Sequence, residues 1–431
     1  MKKGFLWVAT LVAGSAMLSC NSSDTTQEEE MKVLVNMVAE RKPINLTAEQ
    51  KTFANDNNRF TLNFLKQVNE ADHSGKSFIY SPLSITYVLG MVNDAAEGTT
   101  RQELEQTLGF HEGGIQAVNE YCRQLIDNLP KADEKVQLNI ANAIFLNNWF
   151  TLKKQFQQDM QQYYDAKAEA LDFSAASTLD HINGWCKTKT EGMIPSILEQ
   201  VNPQAVSYLL NAIYFKADWT DKFDEKRTKT EDFFTEHGTV KLPMMQQDAL
   251  VSYVKNDTYA AVEIPYGNGL WTMTVMLPEE GKSIDDVATW LTETGWTVNY
   301  WEKNPMSGAE PCEVDLKLPR FETSSDTNDL IDELPGVLKT MGIRQVFDPY
   351  FSEVPNMCED TNVYISMMRQ KAAIKVNEKG SEAAAVTIAG MEATSAGIMG
   401  SATFHANRPF VYVVRETSSG VILFVGKFTG E

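Results

Sequence analysis

This chain predicts a mixed α+β single domain, and three observations carry that reading. Apolar residues at helical spacing come first, strand-like runs follow, and their order is not a regular βαβ alternation. Within 50–431 there is no Pro/Gly/Ser-rich linker and no internal repeat to divide the chain. About 400 residues with 22% charge are enough to bury a large core.

The elements follow in order. Residues 51–69 and 83–93 have the apolar spacing of helices, the second entered through Ser81-Pro82-Leu83-Ser84, where proline suits a first turn. Residues 99–108 and 115–128 repeat the helical pattern. Val136 to Leu146 then alternates as a long strand. Val206 to Phe215 is almost continuously apolar, as a central strand covered on both faces is. Strands dominate 251–277 and 314–321, with a helix near 327–341. Pro409 to Phe428 reads as two strands turned at Ser418-Ser419-Gly420.

At the start, Lys2-Lys3 precedes an apolar run from Phe5 to Leu18 and then Ser19-Cys20, the pattern of an export signal and too short to span a bilayer. Met17-Leu18-Ser19-Cys20 resembles the lipobox of bacterial lipoproteins. That resemblance implies a signal peptide over 1–19 and a lipidated Cys20. It also implies an acidic tether over 20–49 and a place in the cell envelope, membrane-anchored on the periplasmic or cell-surface face. The tether's stretch from Asn21 to Glu30 is acidic and polar, with too little apolar surface to fold, and the membrane is met only through the lipid.

The formal charge of −20 argues against nucleic acid and against heparin-like polyanions, which need basic patches. Cys122, Cys186, Cys312 and Cys358 lie far apart in no CxxC arrangement; buried free thiols are expected, with a disulfide open to an exported protein. The five histidines, His73, His111, His181, His237 and His405, form no HExxH or zinc-finger spacing. There is no GxSxG, no P-loop and no GxGxxG. No catalytic residues, metal or cofactor are expected, and the chain is not read as an enzyme.

The most informative stretch is 378–395, EKGSEAAAVTIAGMEATS. It follows Ile374-Lys375-Val376-Asn377, which alternates like a half-buried strand. Gly380 permits a pivot, and the small residues after it have little bulk to hold them on a core. Without proline, the segment can also enter a sheet. Ser381, Ala383, Ala385, Thr387, Ala389 and Met391 would then share one face. An alanine-rich linker or weak helix is the plainer reading of these residues alone.

Several segments together resemble the serpin family of serine-protease inhibitors. Phe78-Ile79-Tyr80-Ser81-Pro82-Leu83-Ser84-Ile85 is similar to the family's FxxSPxSI helix start, and Asn211 to Trp219 to its NAIYFKGxW strand. Glu263-Ile264-Pro265-Tyr266, Leu318-Pro319-Arg320-Phe321 and Arg408-Pro409-Phe410 fall in family order. The hinge Asn377 to Ala385 resembles the most diagnostic motif. The match covers about 50–431.

The resemblance implies three β-sheets, eight to nine helices and an exposed reactive loop over 378–400. A protease would cleave the loop, be held as an acyl-enzyme, and be displaced as the loop enters the main sheet. Glu378, Gly380, Ser381, Ala383 and Ala385 would form the hinge. Ser81, Ser84, Asn211, Gln370 and Trp219 would control the sheet's opening. Counting from Gly380 places the scissile bond at Thr394-Ser395, and counting back from Pro409 points near Ile398, so the window is 392–399. The lack of Lys or Arg around it disfavours trypsin-like enzymes and suits elastase- or subtilisin-like ones. Met391 or Met399 would admit a chymotrypsin-like enzyme, and a papain-like cysteine protease is a further target class. The implied inhibitor is a monomer; the alternative is a non-inhibitory relative acting as a binder or chaperone.

Two positions depart from the family. Ser77 stands where asparagine is usual and Gln370 where histidine is usual. Gln370 can donate and accept but has no imidazole proton to titrate.

Overall fold

Ser81 and Pro82 start a helix that lies almost wholly inside the core. The Ser81 hydroxyl accepts from the Ser84 amide and proline occupies the first turn, so a helix begins here without an unmet proline donor. This helix, α2 (Pro82–Ala95), is buried over almost its whole circumference. The computed structural model describes residues 41–431 except 73, 112, 193, 295–305, 307–308, 327–333, 360–362 and 382–399. The expected signal peptide, Cys20 and most of the tether therefore lie outside the described residues.

Eight α-helices are present among the described residues. Before α2 comes α1 (Ala48–Ala71), closed by a Thr47/Gln50 capping box. After it come α3 (Gly98–Leu108), α4 (Gly114–Asn128), α5 (Lys154–Tyr164), α6 (Ser177–Lys189), α7 (Ile284–Thr294) and α8 (Leu334–Met341). The helices expected at 51–69, 83–93, 99–108 and 115–128 are all found. Of the one expected near 327–341, the described part starts at Leu334.

The strands are β1 (Phe78–Tyr80), β2 (Gln137–Asn147), β3 (Lys167–Leu171), β4 (Ser207–Asp218), β5 (Lys229–Thr235), β6 (Gly238–Lys255), β7 (Tyr259–Tyr266) and β8 (Trp271–Pro278). They continue with β9 (Glu310–Pro319), β10 (Phe321–Asp326), β11 (Met367–Asn377), β12 (Gly380–Ser381), β13 (Ser401–His405), β14 (Phe410–Glu416) and β15 (Ile422–Phe428). The main sheet has six strands in the order β10-β11-β12-β4-β2-β3; a nine-stranded sheet runs β1-β15-β14-β8-β7-β6-β9-β13, with β5 on β6. The implied three sheets thus appear as two ladders. The reason is β6, which pairs with β5, then β9, then β7 along one continuous strand and so joins two sheets into one.

The core lies between the two sheets. From β4, Phe215 meets Tyr266, Trp271 and Phe424 at ring distances of 5.5, 5.4 and 6.2 Å. On its other face β4 sends Tyr208, Leu210 and Ala212 into a second cluster, where α6 sets Trp185 edge-on against Phe145 at 5.8 Å. Burial on both faces accounts for the continuous apolar run of β4. All four later cysteines are buried, and burial pushes the thiols of Cys122 and Cys186 up to about 12. Among the described residues no helix is long and apolar enough to cross a membrane.

Candidate functional site: the hinge and the half-open main sheet

The site is a gap between β4 and β11. In the lower part of the sheet these strands pair directly and in parallel, from Met367 opposite Tyr208 to Ala372 opposite Ile213. In the upper part the chain leaving β11 turns back, and the two-residue β12 lies between them, antiparallel to both. Ser381 stands opposite Val376 on one side and Ala217 on the other. Val376 and Ala217 have the same chain offset as Met367 and Tyr208, so the sheet is widened by one strand with no slip in register.

Local chemistry makes this turn. Gly380 has φ +145°, and a Cβ there would lie 2.1 Å from the Ala217 carbonyl oxygen and 2.5 Å from Asp218 Cα, so only glycine fits. The Ser381 side chain is buried, and its hydroxyl is 2.8 Å from the Tyr266 hydroxyl. That contact aims Ser381 at the core, the face the alternation assigns to it.

Trp219 holds the turn. Its indole Nε1 donates to the Asn377 carbonyl at 2.9 Å, and its amide donates to the Lys379 carbonyl at 2.8 Å. Its ring stacks on Tyr266 at 4.2 Å and 10°. The Phe223 amide adds a bond to the Glu378 carbonyl at 2.9 Å. Below, the Glu378 carboxylate is buried and takes a forked pair from Arg320, at 2.5 and 3.2 Å, and the Thr228 hydroxyl at 2.6 Å. Burial alone would raise its pKa; the Arg320 and Thr228 bonds outweigh it and hold the carboxyl below the usual range.

A second cluster sits where β4 and β11 still touch. Gln370 accepts from the Ser81 amide at 2.8 Å and donates to the Ser81 carbonyl at 2.8 Å, a fork that ties β11 to the head of α2. The same Nε2 reaches Asn211 Oδ1 on β4 at 3.3 Å. Asn211 in turn donates to Asn142 on β2 at 2.8 Å, and the Ser81 hydroxyl to Ser84 at 3.1 Å. Four of the residues expected to control opening, Ser81, Ser84, Asn211 and Gln370, therefore form one buried network.

Trp219 does not belong to this network; its bonds go to the hinge. Ser77 is also apart, bonded to the C-terminal segment through Thr429 and Glu431. Of the residues expected to form the hinge, Glu378, Gly380 and Ser381 lie in the turn after β11 and in β12, whereas Ala383, Ala385 and the expected bond Thr394-Ser395 lie outside the described residues. Sequence reasoning missed Arg320, Thr228, Tyr266 and Asn142 as partners. Arg320 and Tyr266 lay in quoted motifs, but a lone arginine or tyrosine there carries no sign of the distant residue it meets. Among the described residues no group of three or more His, Cys, Asp or Glu could hold a metal.

Known proteins share this architecture. A family model described as Serpin (serine protease inhibitor) matches residues 55–430. The human leukocyte elastase inhibitor is 30% identical over 385 residues, covering 86% of this chain and 98% of its own. Human serpin I2 is 28% identical, covering 87% and 91%. Among solved structures, tengpin, a thermophilic serpin in the native state, superposes with TM-score 0.76 at 25% identity, covering 91% of this chain and 98% of its own. Human thyroxine-binding globulin, in complex with thyroxine, superposes with TM-score 0.75 at 24% identity, covering 88% of this chain and 98% of its own. With one family matched over residues 55–430 and Gly380-Ser381 seated between β4 and β11, the chain belongs to the serpins, whose members are typically protease inhibitors and are not enzymes.

Proposed function

We propose that this serpin is a suicide-substrate inhibitor of serine proteases with small-residue preference, elastase- or subtilisin-like. The observation that supports it most is the seating of Gly380-Ser381 between β4 and β11 in the register a longer strand would keep. Extended from there, residues 382–384 would pass the stretch where β4 and β11 do not pair, and residues 385–390 would replace their direct pairs one after another, down to Tyr208 and Met367. Ala383, Ala385, Thr387 and Ala389 would face the core, and none is large or charged. Each inserted residue would add ladder hydrogen bonds of about 1 kcal/mol net.

The chemistry starts at Thr394-Ser395. The protease serine hydroxyl attacks the Thr394 carbonyl carbon, an ester forms, and the amide to Ser395 breaks as its nitrogen leaves with a proton. Insertion then competes with hydrolysis of that ester, and small inward residues favour insertion. No Lys or Arg stands in 391–399, so trypsin-like enzymes are poor targets; Met391 or Met399 would admit a chymotrypsin-like enzyme. We place the protein in the bacterial envelope, tethered through Cys20.

The test is direct. The purified chain is mixed with elastase-, subtilisin-, chymotrypsin-, trypsin- and papain-like proteases and run on denaturing gels. A stable adduct with the first two, and a C-terminal fragment whose mass starts at Ser395, is the expected result. Cleavage without any adduct would instead assign the chain to the non-inhibitory serpins. Loss of fatty-acid labelling in Cys20→Ala tests the tether.

A further inference from the structure

An inserted strand has to end somewhere, and the chain length fixes the place; the inference that follows rests on the function proposed above. The lower end of the main sheet is formed by Asn147 of β2, Ser207 of β4 and Met367 of β11. In the register of β12, Met391 would stand opposite Ser207, where β4 begins. A protease esterified to Thr394 would then hang from about three residues, roughly 10 Å of extended chain. That is too short to keep a folded protein clear of this end of the domain.

The same end carries most of the exposed aromatic surface. Among the described residues the large hydrophobic side chains left in solvent are Trp149 at 59%, Tyr350 at 88%, Phe351 at 64% and Phe234 at 51% exposure. Trp149 lies two residues past β2, in a turn where the Asn148 amide bonds the Leu171 carbonyl at the end of β3. Tyr350 and Phe351 precede Ser352, whose hydroxyl bonds the Val363 carbonyl at 2.8 Å. Three residues further on, the Ser366 hydroxyl accepts from the Val206 amide at 2.9 Å, beside the start of β4. The two aromatic segments are themselves laced together by Glu359 to Thr151 at 2.9 Å and Lys153 to Met357 at 3.0 Å. Trp149, Tyr350 and Phe351 thus stand on the chain segments that close the sheet where the tethered protease would come to rest. Large apolar groups grouped at one end of a domain otherwise rich in charge mark a contact surface, and aromatic side chains are its usual anchors.

We propose that Trp149, Tyr350 and Phe351 form a pad on which the acylated protease sits after insertion, the occupant being the apolar surface beside that protease's own active site. Before cleavage the loop leaves from the opposite end of β4, so the pad plays no part in capture. After insertion it covers the protease face next to the ester and opposes its recovery and release.

The experiment compares the full chain with a variant carrying Trp149→Ala, Tyr350→Ala and Phe351→Ala, and with Phe234→Ala as the exposed aromatic elsewhere. Each is reacted with an elastase-like protease, and released protease activity is followed for days. Expected are equal rates and stoichiometries of adduct formation for all three, with release at least tenfold faster from the triple variant alone. Equal release from the triple variant and the unaltered chain overturns the pad while leaving the inhibitory function intact. Faster release from Phe234→Ala as well also overturns it, because the effect would not belong to this end. Concentration-dependent dimers of the unaltered chain that the triple variant abolishes, with equal release, would assign the surface to a second copy instead. No adduct from the unaltered chain overturns the proposed function and the pad together.

Discussion

Arg320, at the junction of β9 and β10, grips the buried carboxylate of Glu378 with both arms of its guanidinium, Nη2 to Oε1 at 2.5 Å and Nε to Oε2 at 3.2 Å. One end of the tie is buried and the other is nearly half exposed, at 4% and 46% of the side chain. It fixes the residue two positions before the glycine that turns the chain into the sheet.

Glu378→Gln keeps the shape and removes the charge, leaving Arg320 free to turn to solvent. The expected cost is about 1–3 kcal/mol, below that of a fully buried pair because water already reaches Arg320. Urea unfolding measures it. A variant as stable as the parent would show that the pair does not hold the hinge.

The same pair sets an acid limit. The Glu378 carboxyl is held below its ordinary value of 4.5, so its contribution is complete above that value and is lost as pH falls through the lower folded-state value. Hydrogen exchange at Ser381 and at the Phe223 amide should therefore be flat from pH 5 to 8 after correction for intrinsic rates. It should quicken only in more acid solution, and Glu378→Gln should remove that acid step.

Gly380→Ala places a methyl group against the Ala217 carbonyl in a backbone region that side chains rarely adopt. The strain of about 1–3 kcal/mol should expel β12 from the sheet. Expected are loss of protection at Ser381, with the Trp219 emission altered as its bonds to Asn377 and Lys379 loosen. Unchanged exchange at Ser381 would mean the strand tolerates a side chain here.

Gln370 gives the sheet opening no proton to titrate. The rate of adduct formation, corrected for the protease's own pH profile, should be level through about pH 6–7, and Gln370→His should add a step there. Gln370→Ala should cost about 1–3 kcal/mol, because the Ser81 amide loses its partner inside the protein and the Ser81 carbonyl keeps only the Ile85 amide.

Ala385 would meet Ile213 and Ala372 on the core-facing side of the inserted strand, by extension of the observed register. Ala385→Arg brings a charge into that core, and insertion should slow until hydrolysis of the ester overtakes it. Denaturing gels should show simple cleavage where the parent gives an adduct. An adduct of undiminished yield would refute insertion along this register.

Much of this was legible in the residues themselves. Ser81-Pro82 announces a helix start, Ser418-Ser419-Gly420 a turn, and the apolar run of β4 a strand covered on both faces, because each is a local rule of backbone and burial. Helices α5, α6 and α7 escaped the reading. Their apolar stripes are short, and α6 buries little more than Thr178, Ile182, Trp185 and Cys186.

By itself, the sequence determined the α+β class, the pivot at Gly380, the alternation that turns Ser381 inward and the lack of a titrating group at Gln370. All of these depend on a residue and its chain neighbours. Only the tertiary structure decided that Trp219 bonds Asn377 and Lys379, that Arg320 holds the Glu378 carboxylate, and that β12 already divides β4 from β11. Those facts depend on which distant groups share a buried volume, where water no longer satisfies them and each polar atom must find its partner across the fold.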